Sequence, residues 1–73
     1  MPKKQPIYRD LGELLRKERM RQGLTVRELA KKVGISHPTV YKYESGEYEP
    51  RISHLKWIAE TLNIPLIKLV ERI

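Results

Sequence analysis

Apolar residues recur along this chain at intervals of three and four, the period of a helix with one buried stripe. Leu11, Leu14 and Leu15, with Met20 further on, fall on or near one such stripe, and the spacing predicts a helix from about Asp10 to Gln22. Asp10 stands where an N-cap belongs, Gly23 offers the left-handed residue that stops a helix, and Arg19 and Arg21 oppose the negative end of the dipole. Thr25 followed three residues later by Glu28 forms a capping box that opens a second, short helix. Leu29, Ala30 and Val33 line its inner face, Lys31 and Lys32 its wet face, and Gly34 ends it. Ser36 caps a third helix from His37 to Ser45, whose first turn tolerates Pro38 because the amide missing there would have no partner anyway. A fourth, with Ser53 as expected cap, carries Leu55, Trp57, Ile58, Ala59 and Leu62 inward. A fifth begins near Pro65 and presents Leu66, Leu69, Val70 and Ile73. No stretch alternates as a strand does, so the expected fold is all-α: a compact five-helix domain over residues 9–73, preceded by a basic flexible arm over residues 1–8.

Composition narrows what such a domain could do. The chain has 73 residues, room for one small domain. It contains no cysteine, which excludes disulfides, thiolate metal sites and thiol nucleophiles. The longest apolar run, Ile64 to Ile67, is interrupted by Pro65 and falls far short of the roughly 20 residues needed to cross a bilayer. Met1-Pro2-Lys3-Lys4 lacks the apolar segment of an export signal, and a cytoplasmic location is expected. Fifteen Lys and Arg against nine Asp and Glu give a net charge of +6, a balance that suits a polyanionic partner. The excess is local. Residues 1 to 23 hold seven basic and three acidic side chains, whereas residues 44 to 50 hold three glutamates and no base.

The second and third predicted helices are joined by Gly34-Ile35-Ser36, a turn short enough to force a steep crossing. Ala30 is small where the two must approach, and Ile35, Val40 and Tyr43 continue the inward face. With these residues in view, the chain from Leu14 to Leu69 resembles the Xre/Cro-type helix-turn-helix family of the phage lambda repressor and Cro. The likeness is carried by Leu14-Leu15, Arg19 to Thr25, Glu28-Leu29-Ala30, Val33 to Ser36, Thr39-Val40, Glu44-Ser45-Gly46, Pro50, and Leu55 to Leu62 with Ile64-Pro65-Leu66.

The resemblance implies sequence-specific binding of double-stranded DNA for transcriptional regulation, repression above all, with the third helix in the major groove. It makes His37, Pro38, Thr39, Tyr41 and Lys42 the base-contacting candidates, with Lys42 a donor to guanine and Pro38 able to touch only a thymine methyl. Thr25 and Ser36, at helix starts, and Arg51, after Pro50, are the expected phosphate contacts. The resemblance also implies a mostly buried ion pair between Arg19 and Glu44. Three positions depart from the family's pattern. Val26 stands where many relatives carry glutamine, Glu47 and Glu49 acidify a loop that is often basic, and Tyr41 is larger than the usual small residue.

Other chemistries fit the residues poorly. His37 and His54, without cysteine or a carboxylate cluster, make a weak metal site, so no metal or cofactor is expected. Ser36-His37 and Ser53-His54 are sequence neighbours at helix starts, and adjacency does not build a catalytic triad; the chain is expected not to be an enzyme. Tyr43 and Trp57 are assigned to the core, while Tyr41 and Tyr48 stay open as stacking surfaces. No small-molecule effector and no membrane partner is indicated. Ile67, Val70 and Ile73 exceed what a domain of this size can cover, and the family commonly pairs there. A homodimer through the C-terminal helix on a palindromic operator is therefore expected. The competing reading is a protein-interaction module of the multiprotein bridging factor type, favoured by Glu47, Glu49 and Val26. An antitoxin role would fit the same pattern.

Overall fold

Capping decides where each helix begins and ends. The computed structural model describes residues 6–73, and these form α1 (Arg9–Arg21), α2 (Val26–Val33), α3 (His37–Ser45), α4 (Ile52–Leu62) and α5 (Leu66–Val70). At the start of α2 the capping box is complete: the Thr25 hydroxyl accepts from the Glu28 amide at 3.1 Å, and the Glu28 carboxylate accepts from the Thr25 amide at 2.9 Å. Ser36 caps α3 through the Thr39 amide. Three helices close on a left-handed residue whose neighbour reaches back into the last turn. Leu24 N–H donates to the Arg19 carbonyl past Gly23, Ile35 to Ala30 past Gly34, and Ile64 to Ala59 past Asn63, which takes φ 56° without being glycine.

Two expected caps are replaced. α1 starts one residue before Asp10, with Tyr8 at the N-cap and no side-chain cap bond, so Asp10 lies in the first turn and contributes only its charge at the positive dipole end. α4 starts at Ile52 with Arg51 at the N-cap, which puts Ser53 inside the helix. In both places neighbouring structure holds the incoming chain: Tyr8 N–H donates to the Gly46 carbonyl at 2.9 Å, and Arg51 N–H to the Tyr43 phenol at 3.4 Å. Tyr8 is half-buried, so this part of the expected arm is attached to the domain; residues 1–5 of that arm lie outside the described residues.

α1 packs on α3 and α5, α2 on α3 and α4, and α4 on α5. The shared core contains Leu11, Leu14, Leu15, Leu29, Val40, Tyr43, Leu55, Ile58, Leu62 and Leu69, with Leu24, Val33, Ile35, Ile64 and Leu66 packed at its edge. Two expected core residues are outside. At 100° per residue Met20 lies across α1 from Leu14 and Leu15, and Trp57 across α4 from Leu55 and Leu62. They are accordingly 58% and 45% exposed. Trp57 rests instead against the His54 ring, with centroids 5.5 Å apart. No helix among the described residues is long and apolar enough to cross a membrane.

Candidate nucleic-acid interface

α3 turns one face inward and one outward. Val40 and Tyr43 are buried, which at 100° per residue leaves Pro38, Tyr41, Lys42 and Ser45 on the opposite face, all exposed. His37 and Thr39 flank that face and are half-buried. His37 meets Tyr41 edge-on at 6.4 Å between ring centroids. The Thr39 hydroxyl lies 2.7 Å from that of Ser36, so each already has a partner. Lys42 holds its ammonium 5.1 Å from the centre of the Tyr48 ring, a cation–π contact it must leave to reach further. Ser45 shares the outward face without having been singled out by sequence; its hydroxyl donates to the Lys42 carbonyl at 2.7 Å.

Around α3 the other candidates occupy separate positions. Thr25, Ser36 and Arg51 are exposed. The capping box consumes the Thr25 amide, so the free donors at the start of α2 are the amides of Val26 and Arg27 and the Thr25 hydroxyl proton. At α3, Pro38 has no amide proton and the Thr39 amide is spent on Ser36, which leaves the amides of Ser36 and His37 free among the described residues. Arg51 is set by the core. The Tyr43 phenol accepts from the Arg51 amide and lies 2.6 Å from His54 Nδ1, so a neutral His54 can accept the phenol proton. Nothing in the sequence pattern linked Tyr43 to His54, because the bond spans two helices and a loop.

Beneath α3, Arg19 Nε and Nη2 donate to the two Glu44 carboxylate oxygens at 2.7 and 3.1 Å, while Nη1 donates to the Leu24 carbonyl at 2.7 Å. Both side chains are about nine-tenths buried. The Glu44 hydrogen bond, above all, pushes the Arg19 guanidinium above its ordinary pKa against the opposing effect of burial, and the Glu44 charge adds to the push. Removing one partner would strand the other charge, so the pair fixes the α1–α3 junction. Above it opens a concavity of about 560 Å³ lined by Arg16, Arg19, Thr25, Val26, Tyr41, Glu44 and Ser45. Glu47 and Glu49, in the bend after α3, are exposed. Ile67, Val70 and Ile73 are 61%, 37% and 58% exposed and together leave an apolar surface along α5 and the residues after it.

The family model described as helix-turn-helix matches residues 15–69. Among curated sequences the chain is similar to proteins of two archaea that are named, without an established function, as HTH-type transcriptional regulatory proteins. It is 33% identical over 60 residues to one from Methanocaldococcus jannaschii, covering 82% of this chain and 19% of that protein. It is 40% identical over 57 residues to one from Methanococcus maripaludis, covering 78% and 18%. The chain thus spans about a fifth of the length of these relatives. Among solved structures it superposes on the restriction-modification controller protein C.AhdI of Aeromonas hydrophila with a TM-score of 0.81 and 26% identity, over 85% of this chain and 94% of that one. The clp gene regulator ClgR of Corynebacterium glutamicum shares the fold at a TM-score of 0.81 and 24% identity, over 96% of this chain and 74% of that one.

Proposed function

The chain belongs to the helix-turn-helix family matched over residues 15–69, and on that footing we propose that it is a sequence-specific double-stranded DNA-binding domain of a transcriptional regulator, acting by operator occupancy as a repressor. The carrying observation is the outward face of α3, where Pro38, Tyr41, Lys42 and Ser45 stand exposed on a helix whose inner face is locked by Val40 and Tyr43. A helix so presented fits the major groove. His37, Pro38, Thr39 and Lys42 contact base edges, and Tyr41, on the same face, contacts the duplex as well. Thr25, Ser36 and Arg51 hold phosphates on either side. Two copies pair through Ile67, Val70 and Ile73 on a palindromic site. No catalytic step belongs to this reading. The archaeal relatives, named as HTH-type transcriptional regulatory proteins, support it, as does the controller protein whose fold the chain shares.

Selection of bound fragments from random duplexes is the decisive measurement. One enriched, two-fold symmetric sequence is expected, held with an affinity that falls steeply as salt rises. Lys42→Ala or His37→Ala then relaxes the preference at one position of each half-site by about 1–3 kcal/mol. Salt-independent retention with no enriched sequence overturns the proposal and favours the protein-interaction module, for which the exposed Glu47 and Glu49 beside α3 are the supporting feature.

A further inference from the structure

The concavity between α1, the start of α2 and α3 contains more charge than it can offer to a ligand. The Arg19 guanidinium is spent on both oxygens of Glu44 and on the Leu24 carbonyl. The positive end of α2 is already met by the Glu28 carboxylate, whose pKa is lowered by the Thr25 backbone hydrogen bond foremost. Arg16 is different. It is exposed on the same wall of α1 as Arg19, lines the concavity, and forms no ion pair among the described residues. Facing the same concavity stands Tyr41, 58% exposed and among its lining residues. The phenol makes no hydrogen bond among the described residues, unlike that of Tyr43, which has two partners.

Resting on the DNA-binding reading above, we propose that Arg16 and the Tyr41 hydroxyl grip one backbone phosphate of the duplex in this concavity, so that Tyr41 positions the protein rather than reading a base. An uncommitted guanidinium supplies the charge and two parallel donors, and the phenol supplies a third donor from the facing helix. With the Arg19 guanidinium and the Thr25 amide both engaged internally, Arg16 is the lining cation left uncommitted among the described residues, and the Val26 amide and Thr25 hydroxyl add only neutral donors. The departure at Tyr41 from a small residue then has a physical use, because only a long side chain reaches back from α3 to the α1 wall.

The test uses the purified protein, the duplex recovered by selection, and an unrelated duplex of equal length. Arg16→Ala is expected to weaken both to a similar extent and to reduce the slope of log affinity against log salt by about 0.9, so that a fourfold rise in salt costs the variant roughly threefold less than the wild type. Arg16→Lys is expected to keep the slope, since the charge remains. Tyr41→Phe, which removes only the hydroxyl, is expected to weaken both duplexes while leaving the selected sequence unchanged. Replacing the gripped phosphate by a neutral methylphosphonate is expected to weaken the wild type and to weaken Arg16→Ala distinctly less, since only the Tyr41 hydroxyl still engages that group in the variant. Melting temperatures near the wild-type value establish that the variants are folded, as both side chains are exposed. An unchanged slope in Arg16→Ala, or an altered sequence preference in Tyr41→Phe, overturns this proposal alone. A wild type that retains no duplex at all overturns the DNA-binding reading and this one with it.

Discussion

At position 12 a glycine stands inside α1, where alanine would favour the helix by about 1 kcal/mol. Packing explains the choice. A methyl group there would lie 2.8 Å from the Tyr43 carbonyl oxygen and closer still to that of Glu44, both backbone atoms of α3 that cannot turn aside. α1 and α3 therefore touch main chain to main chain, and the Arg19–Glu44 pair holds the same junction further along. Gly12→Ala is expected to lower stability by about 1–3 kcal/mol in urea denaturation, opposite in sign to its helix propensity; a gain would show that the helices separate freely. The pair itself was implied by family resemblance, whereas the role of Gly12 was not legible, because nothing local to α1 reveals what lies against it.

Between elements, the buried Glu18 joins α1 to α5. Its carboxylate accepts from Arg21 Nε at 3.0 Å on its own helix and lies 3.8 Å from Lys68 Nζ on α5. The Arg21 hydrogen bond, foremost, holds the Glu18 pKa below its ordinary value of 4.5, with smaller pulls from Arg21, Lys68 and Lys17 charge. A carboxyl depressed by folding stabilises the native state at pH above its unfolded value, and the contribution disappears as pH falls through the lower, folded value. Stability is therefore expected to drop as pH is taken below about 4.5. Glu18→Gln should lose part of that acid sensitivity while Glu28, shifted in the same direction, retains the rest. Identical acid titrations for wild type and Glu18→Gln would contradict the linkage. Nothing in the sequence pattern marks Glu18 for burial; the packing of α5 on α1 is what covers the carboxylate. The same distinction governs the caps. Thr25, Ser36, Gly23 and Gly34 act on their immediate neighbours and were readable, while Tyr8 and Arg51 begin helices because distant atoms of Gly46 and Tyr43 hold them there.

For the whole molecule, the exposed Ile67, Val70 and Ile73 are the surface through which the proposed pairing would seat a second copy. Such a two-fold pair would place two α3 helices about 34–36 Å apart on one side of a duplex. Sedimentation is expected to show a dimer on palindromic DNA that Ile67→Glu and Ile73→Glu disrupt. A wild type that stays monomeric at high concentration, with and without the palindrome, would remove this pairing. The outward stance of α3 is likewise a property of the assembly, since α1 and α2 both pack against its inner side.

The number and order of helices, the turn between α2 and α3, and the inward positions Val40 and Tyr43 were all written in the chain, because periodicity and capping act within a few residues. Trp57 and Met20 show where that reading needed sharper angles rather than more information. The buried Glu18, the Tyr43–His54 bond and the main-chain contact at Gly12 belong to the tertiary structure alone. Each joins atoms that only the packing of helices brings together, and no local pattern encodes a distance between helices.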